Sequence, residues 1–260
     1  LLSIHLLRAG FSDMSPGWGF WFGLGVALGW VLLAKSTVYG AVLLPIAAVL
    51  LGWGSSSALR RRTALGLLVA YGLAAVLSGP WFWRNHVEYG GLDILGLGRH
   101  AVVVYGQPRV ENWDWWRVQE AAGVVFQSFW LQLGWMAVPA SPEVYKLLAV
   151  LSGLSVAGVL AWLGSGGRGV GPIERRFLGL FGGLLAMVVL QLAAYNLQFL
   201  QAQGRYLFPA LIPIACLTCV GLRELLTPRS GGLVAAATIA GLSALNIYAL
   251  QRLIPHLTSG

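Results

Sequence analysis

"FLGLFGGLLAMVVLQLAAYNLQF", residues 177–199, runs for 23 residues without a charged side chain. An α-helix that crosses a membrane needs about 20 largely apolar residues, so this stretch reads as a transmembrane helix. Working outward from it, comparable runs fall at about 17–34, 38–53, 63–83, 143–163, 206–226 and 231–250. Together they predict an all-α, polytopic helix bundle of about six to seven spans. The run at 38–53 is short and follows "AKST" directly, which suggests a tilted or partly spanning helix.

Composition leads to the same class. The chain has 260 residues, 57% of them hydrophobic and only 10% charged, with a mean hydropathy of +0.74. A soluble domain carries roughly 25% charged residues, so this chain has too few polar groups to cover a surface facing water. The 35 glycines fit as well, because small residues let membrane helices approach closely. The net charge of +8 is therefore read against a bilayer and not as a sign of a nucleic-acid partner.

The arginines set the orientation. "GSSSALRRR" (54–62), "GSGGRGVGPIERR" (164–176) and "LRELLTPRS" (222–230) carry Arg60, Arg61, Arg62, Arg168, Arg175, Arg176, Arg223 and Arg229 against Glu174 and Glu224. Positive residues mark cytoplasmic loops. Alternation then places 84–142, 200–205 and 251–260 outside, Lys35 at an outer helix end and Arg8 inside. The expected organisation is one transmembrane domain over 1–260, with 84–142 as an extracytoplasmic, interfacial segment within it.

That segment differs from the rest of the chain. It holds Glu88, Asp93, Glu111, Asp114 and Glu120, with Glu143 at its edge, and seven of the twelve tryptophans lie between Trp81 and Trp135. Tryptophan favours the headgroup level, where its ring is half wet and half apolar. "ENWDWWRVQEAAGVVFQSFW" (111–130) reads as an amphipathic helix on the outer face that re-enters the bilayer edge. Cys216 and Cys219 lie inside an apolar run and read as packing residues.

Four outward features carry candidate chemistry. Lys35 in "LLAKSTVYG" either snorkels to the headgroups or binds an anionic lipid. In "GPWFWRNHVEYGG" (79–91) Arg84, Asn85, His86, Glu88 and Tyr89 arrive together, as an interfacial belt with a solvated turn or as the polar rim of a headgroup site. His86, Glu88, Asp93 and His100 are candidates for a divalent metal, but their irregular spacing is a weak metal signature. "SFWLQLGWMAVPASPEVY" (128–145) reads as an anchored re-entrant turn or as the lining of a surface groove. In "QAQGRYLFPALIP" (201–213) Arg205 has a planar fork suited to phosphate oxygens. Gln201, Gln203 and Tyr206 beside it offer hydrogen bonds, and Gly204 permits a close backbone approach. Pro209 and Pro213 are expected to free backbone carbonyls beside a cavity.

"GVALGWVLLAKSTVYGAVLLPIAAVLL" resembles the helix pair around a lysine in bacterial polyprenyl-phosphate-dependent glycosyltransferases of the GT-C fold, of the protein O-mannosyltransferase and aminoarabinose-transferase type. "PWFWRNHVEYG", "SFWLQLGWMAVP" and "QGRYLFPALIP" are similar to segments of a related group of bacterial polytopic proteins, and the likeness covers most of the chain in order. The resemblance implies a sugar donor on a polyprenyl phosphate, a place in the bacterial plasma membrane and an acceptor that arrives from outside. It implies phosphate contact by Lys35 and Arg205, and Tyr206 and Arg84 join them as candidate lipid-phosphate contacts from the reading of the residues above. It also implies a carboxylate base in the first outer loop, ahead of Leu1. That loop would belong to a longer chain of which this is the C-terminal part, since "LLSIHLL" reads as the tail of a hydrophobic segment. Within the chain Glu88 and Asp93 are the weak candidates for that base, and no cofactor is assigned beyond the weakly supported divalent metal. The alternatives are a non-catalytic scaffold or polymer-assembly subunit, and a transporter of a lipid-linked or anionic solute.

Overall fold

A helix satisfies every backbone N–H and C=O within one apolar segment, which a strand cannot do, and 81% of the described residues are helical. The computed structural model describes residues 2–12, 16–52, 56–110, 112–133, 136–166, 169–226 and 231–258. Glu111, Trp135, Arg168 and Arg229 lie outside the described residues.

In chain order the elements are α1 (Leu2–Phe11), α2 (Trp18–Ala34), a 3₁₀ helix (Ser36–Leu43) that runs straight into α3 (Leu44–Leu51), α4 (Ser57–Tyr89) and α5 (Leu97–Val103). Next come α6 (Trp115–Trp130), a hairpin of β1 (Gln132–Leu133) and β2 (Val138–Pro139), α7 (Pro142–Gly164) and α8 (Pro172–Asn196). A second 3₁₀ helix (Gly204–Ala210) continues as α9 (Leu211–Leu225), and α10 (Gly231–Thr258) closes the chain. Local chemistry sets several of these boundaries. Ser56 caps α4 by accepting the Leu59 N–H at 3.2 Å, and Asp114 caps α6 by accepting the Arg117 N–H at 2.7 Å. The α6 helix therefore starts at Trp115 and not at residue 111. Gly90, at φ 76°, ends α4.

Among the described residues four helical segments are long and apolar enough to cross a membrane, as a membrane protein requires: α4, α7, α8 and the continuous run Gly204–Leu225. Only 11–22% of their most apolar windows is buried inside the protein, so most of their apolar surface needs lipid to cover it. Two shorter apolar helical stretches, Trp18–Ala34 and Ser36–Leu51, accompany them.

The contacts group into two compact units, Leu1–Arg109 with Gly171–Gln191, and Val110–Val170 with Leu192–Gly260. The first is built on a seam between α2 and α4. Gly66, Ala70, Ala74 and Ser78 recur every four residues and form one stripe of small, buried side chains on α4. A Cβ on Gly25 would lie 2.7 Å from the Ala70 carbonyl oxygen, and one on Gly29 would lie 3.0 Å from the Leu77 Cβ. Gly66 lies directly under the Trp21 indole, leaving no room for a side chain. Trp21, Gly25 and Gly29 thus meet α4 in increasing order, so the two helices run parallel and their C-terminal ends lie at the same end of the unit. Tyr39 meets Phe82 edge-on at that end, with ring centroids 6.2 Å apart. At the opposite end Arg176 of α8 donates to the Leu51 carbonyl at the end of α3.

The second unit is built on α7 and α9. Leu148, Ser155, Gly158 and Trp162 form the buried face of α7. The Gly221 carbonyl occupies the space where a Gly158 side chain would begin, and the Ser155 carbonyl does the same at Gly221. The two backbones therefore touch, which small residues alone permit. Tyr145 ties the start of α7 to the hairpin: its hydroxyl donates to the Leu131 carbonyl at 2.6 Å and accepts the Ala140 N–H at 3.0 Å. The Tyr248 hydroxyl of α10 accepts the Ser141 N–H at 3.0 Å. The described residues between α6 and α7 are thus tied to the start of α7 within the unit.

Candidate functional site

The second unit fixes Arg205 and Tyr206 through the glycine that precedes them. Gly204 is buried, and the Phe129 backbone and the Val125 carbonyl of α6 fill the space its side chain would take. Its N–H donates to the Ser128 hydroxyl at 2.7 Å, and that hydroxyl donates in turn to the Val124 carbonyl at 2.6 Å. The close approach expected at Gly204 is therefore made by protein backbone. The 3₁₀ helix that carries Arg205 is seated on α6, with Phe208 against Phe129 at 5.9 Å between ring centroids.

Around that seat lies a polar network. The Tyr206 hydroxyl donates to Gln201 Oε1 at 2.7 Å, and the Gln201 N–H donates to Asn196 Oδ1 at 2.9 Å. Asn196 is buried, and its amide also donates to the Leu192 carbonyl at 2.9 Å, so one side chain joins the end of α8 to the loop that leads to Arg205. The exposed Arg205 guanidinium lies 5.6 Å from the Tyr206 ring centroid, within the range of a cation–π contact. Pro209 lies in the 3₁₀ helix, and Pro213 is the third residue of α9. Pro213 thus falls one turn after Pro209, where the 3₁₀ helix passes into α-helix.

In the first unit Lys35 is the extended residue joining α2 to the first 3₁₀ helix, and it is exposed. Arg84 lies on the last turns of α4 with its guanidinium 5.3 Å from the Trp81 ring centroid. Glu88 is exposed on the final turn. The stretch from Arg84 to Tyr89, expected as a turn, continues α4 as helix. Asn85 is buried, donates to the Ile94 carbonyl at 3.1 Å and holds the following loop against the helix end. His86 Nδ1 lies 2.6 Å from the Gly91 carbonyl.

Asp93 takes the N–H groups of Gly98 and Arg99 at 3.0 and 2.8 Å, one on each carboxylate oxygen. These backbone bonds, that from Arg99 foremost, hold its carboxyl below the ordinary carboxylate value. A general base works best with a pKa near the operating pH, so this environment suits a cap for α5 and not a proton acceptor. Because the folded value is depressed, the cap's contribution is complete above the ordinary aspartate pKa and is lost as pH falls through the lowered one. Asp93→Ala is expected to speed amide exchange in 94–103 at neutral pH while leaving the α4 amides unchanged. In the unaltered protein the same region should loosen only below the usual aspartate range. Hydrogen exchange followed across pH checks both.

Among the described residues no group of three or more His, Cys, Asp or Glu side chains is placed to hold a metal ion, so His86, Glu88, Asp93 and His100 are not gathered into a metal site. Cys216 is half-buried and Cys219 exposed, both as free thiols. Ser128, Asn196 and Tyr145 were not singled out by sequence reasoning. Only Asn196, a polar residue closing an apolar run, left a signal there. No family model, curated protein or solved structure matches the chain.

Proposed function

We propose that the chain forms part of a GT-C-type glycosyltransferase of the bacterial plasma membrane. In this reading α2, the Ser36–Leu51 stretch and α10 join the four long segments to give six or seven spans. The Lys35 end of the first unit and the Arg205 end of the second face the outside. The donor is a sugar on a polyprenyl phosphate. An acceptor hydroxyl attacks the sugar's anomeric carbon and the bond to the phosphate oxygen breaks. The hydroxyl proton passes to a carboxylate acting as general base. Negative charge grows on the departing phosphate, and fixed cations at that position lower the barrier.

The supporting observation is the seat of Gly204 on α6. It holds a permanently charged, exposed arginine beside a tyrosine whose ring and hydroxyl are both engaged. Such fixing is what electrostatic catalysis requires of a donor, since the cation need not reorganise as charge develops. Lys35 and Arg84 are assigned the same kind of phosphate contact.

The test is transfer from a polyprenyl-phosphate sugar by the full-length protein in proteoliposomes. Arg205→Ala and Lys35→Ala are each expected to lower turnover by about 100-fold, the usual effect of removing one charge-stabilising donor. Arg205→Lys should recover only part of the loss, because an ammonium lacks the bidentate fork. Wild-type turnover in both alanine variants would end this reading.

A further inference from the structure

The end of the first unit away from Lys35 and Arg84 encloses a cavity of about 70 Å³. One wall is a single face of α4, on which Arg60, Thr63 and Leu67 follow one another at successive turns. Leu59 and Ala64 share that face, and residues of α1 and α3, among them Leu6, Ala9 and Val49, line the rest. Arg60 and Thr63 are the polar residues of an otherwise apolar wall, and with Leu67 they span about 10 Å of helix. Arg61 and Arg62 are exposed on the same turn as Arg60 but do not line the cavity.

We propose that this cavity is a binding site for an anionic phospholipid. The order of these residues along α4 matches the order of groups in such a molecule, with the phosphodiester on Arg60, the ester region at Thr63 and the first methylenes among Leu6, Val49 and Leu67. The volume holds roughly two groups the size of a water molecule, so only the first groups of one chain enter it. Arginine binds phosphate oxygens in pairs, and basic pockets between membrane helices select anionic headgroups over zwitterionic ones. Arg61 and Arg62 raise the local concentration of anionic lipid, and Arg60 alone combines charge with the cavity. The site uses none of the residues assigned to sugar transfer and stands whether or not that reading does.

The experiment is native mass spectrometry of the protein in neutral detergent, supplied with phosphatidylglycerol, phosphatidylcholine or inorganic phosphate. The expected result is one retained phosphatidylglycerol per chain, preferred at least about tenfold over phosphatidylcholine and not displaced by millimolar inorganic phosphate. Arg60→Gln should lower retention about tenfold, the loss of one bidentate phosphate contact, while Arg61→Gln changes it less than about twofold. Thr63→Phe, which fills the cavity and keeps every arginine, should also release the lipid. It serves as the second test if Arg60→Gln fails to fold. Equal losses in Arg60→Gln and Arg61→Gln would show a diffuse basic belt and overturn the site. So would retention of lipid by Thr63→Phe, or displacement by phosphate alone.

Discussion

Gly158→Ala is expected to destabilise the second unit sharply, although alanine is the better helix former. In an ordinary helix interior the exchange stabilises by about 1 kcal/mol. Here the new methyl would meet the Gly221 carbonyl, and neither partner is a side chain that can rotate away. Relief requires α7 and α9 to separate along the seam that buries Leu148, Ser155, Gly158 and Trp162. The cost is placed at or above the 1–3 kcal/mol typical of an overpacked core. Gly153→Ala supplies the control, because nothing lies within 4 Å of a Cβ at that position of the same helix. Thermal unfolding in detergent should show Gly153→Ala unchanged or slightly stabilised and Gly158→Ala strongly destabilised. Equal midpoints would mean that the two backbones do not touch.

The second large effect is expected at Gly204. A single methyl there would occupy the space of the Phe129 backbone and would push the 3₁₀ helix off α6, breaking the 2.7 Å bond to Ser128. Gly204→Ala should therefore abolish protection of amides 204–210 against hydrogen exchange. On the proposed function it should also reduce sugar transfer about as far as Arg205→Ala does, roughly 100-fold, with the guanidinium still present but no longer held. Ser128→Ala is the milder variant: it leaves the glycine in place and costs about 1–3 kcal/mol for one unpaired buried N–H. Gly123→Ala, in α6 with open space around it, should be silent. Protection of 204–210 in Gly204→Ala equal to wild type would refute the seat on α6 directly, without reference to any activity.

The helical class was legible because an uncharged run such as 177–199 has few structural alternatives, and the observed α8 (Pro172–Asn196) overlaps most of it. The close approach at Gly204 was legible too, since a glycine beside an arginine and a tyrosine signals that something comes near. What comes near was not legible. The partner is the backbone of α6, about 75 residues earlier in the chain, and a backbone carries no side-chain signature. The same holds for Gly158 and Gly221, where each is explained only by the other helix. Asp93 was read as a possible base because an acid in an outer loop looks alike whether it takes a proton or caps a helix. The difference lies in the N–H groups of Gly98 and Arg99.

The 3₁₀ stretch ahead of α3 also bears on what counts as a span. Its eight residues rise about 2.0 Å each and the eight of α3 about 1.5 Å each, so Ser36–Leu51 is about 28 Å from end to end when straight. That nearly equals the ~30 Å of a bilayer's hydrocarbon core, reached with 16 residues where α-helix takes 20. Relaxing those eight residues into the wider α-helix would shorten the stretch by about 4 Å and draw Lys35 inward by that amount.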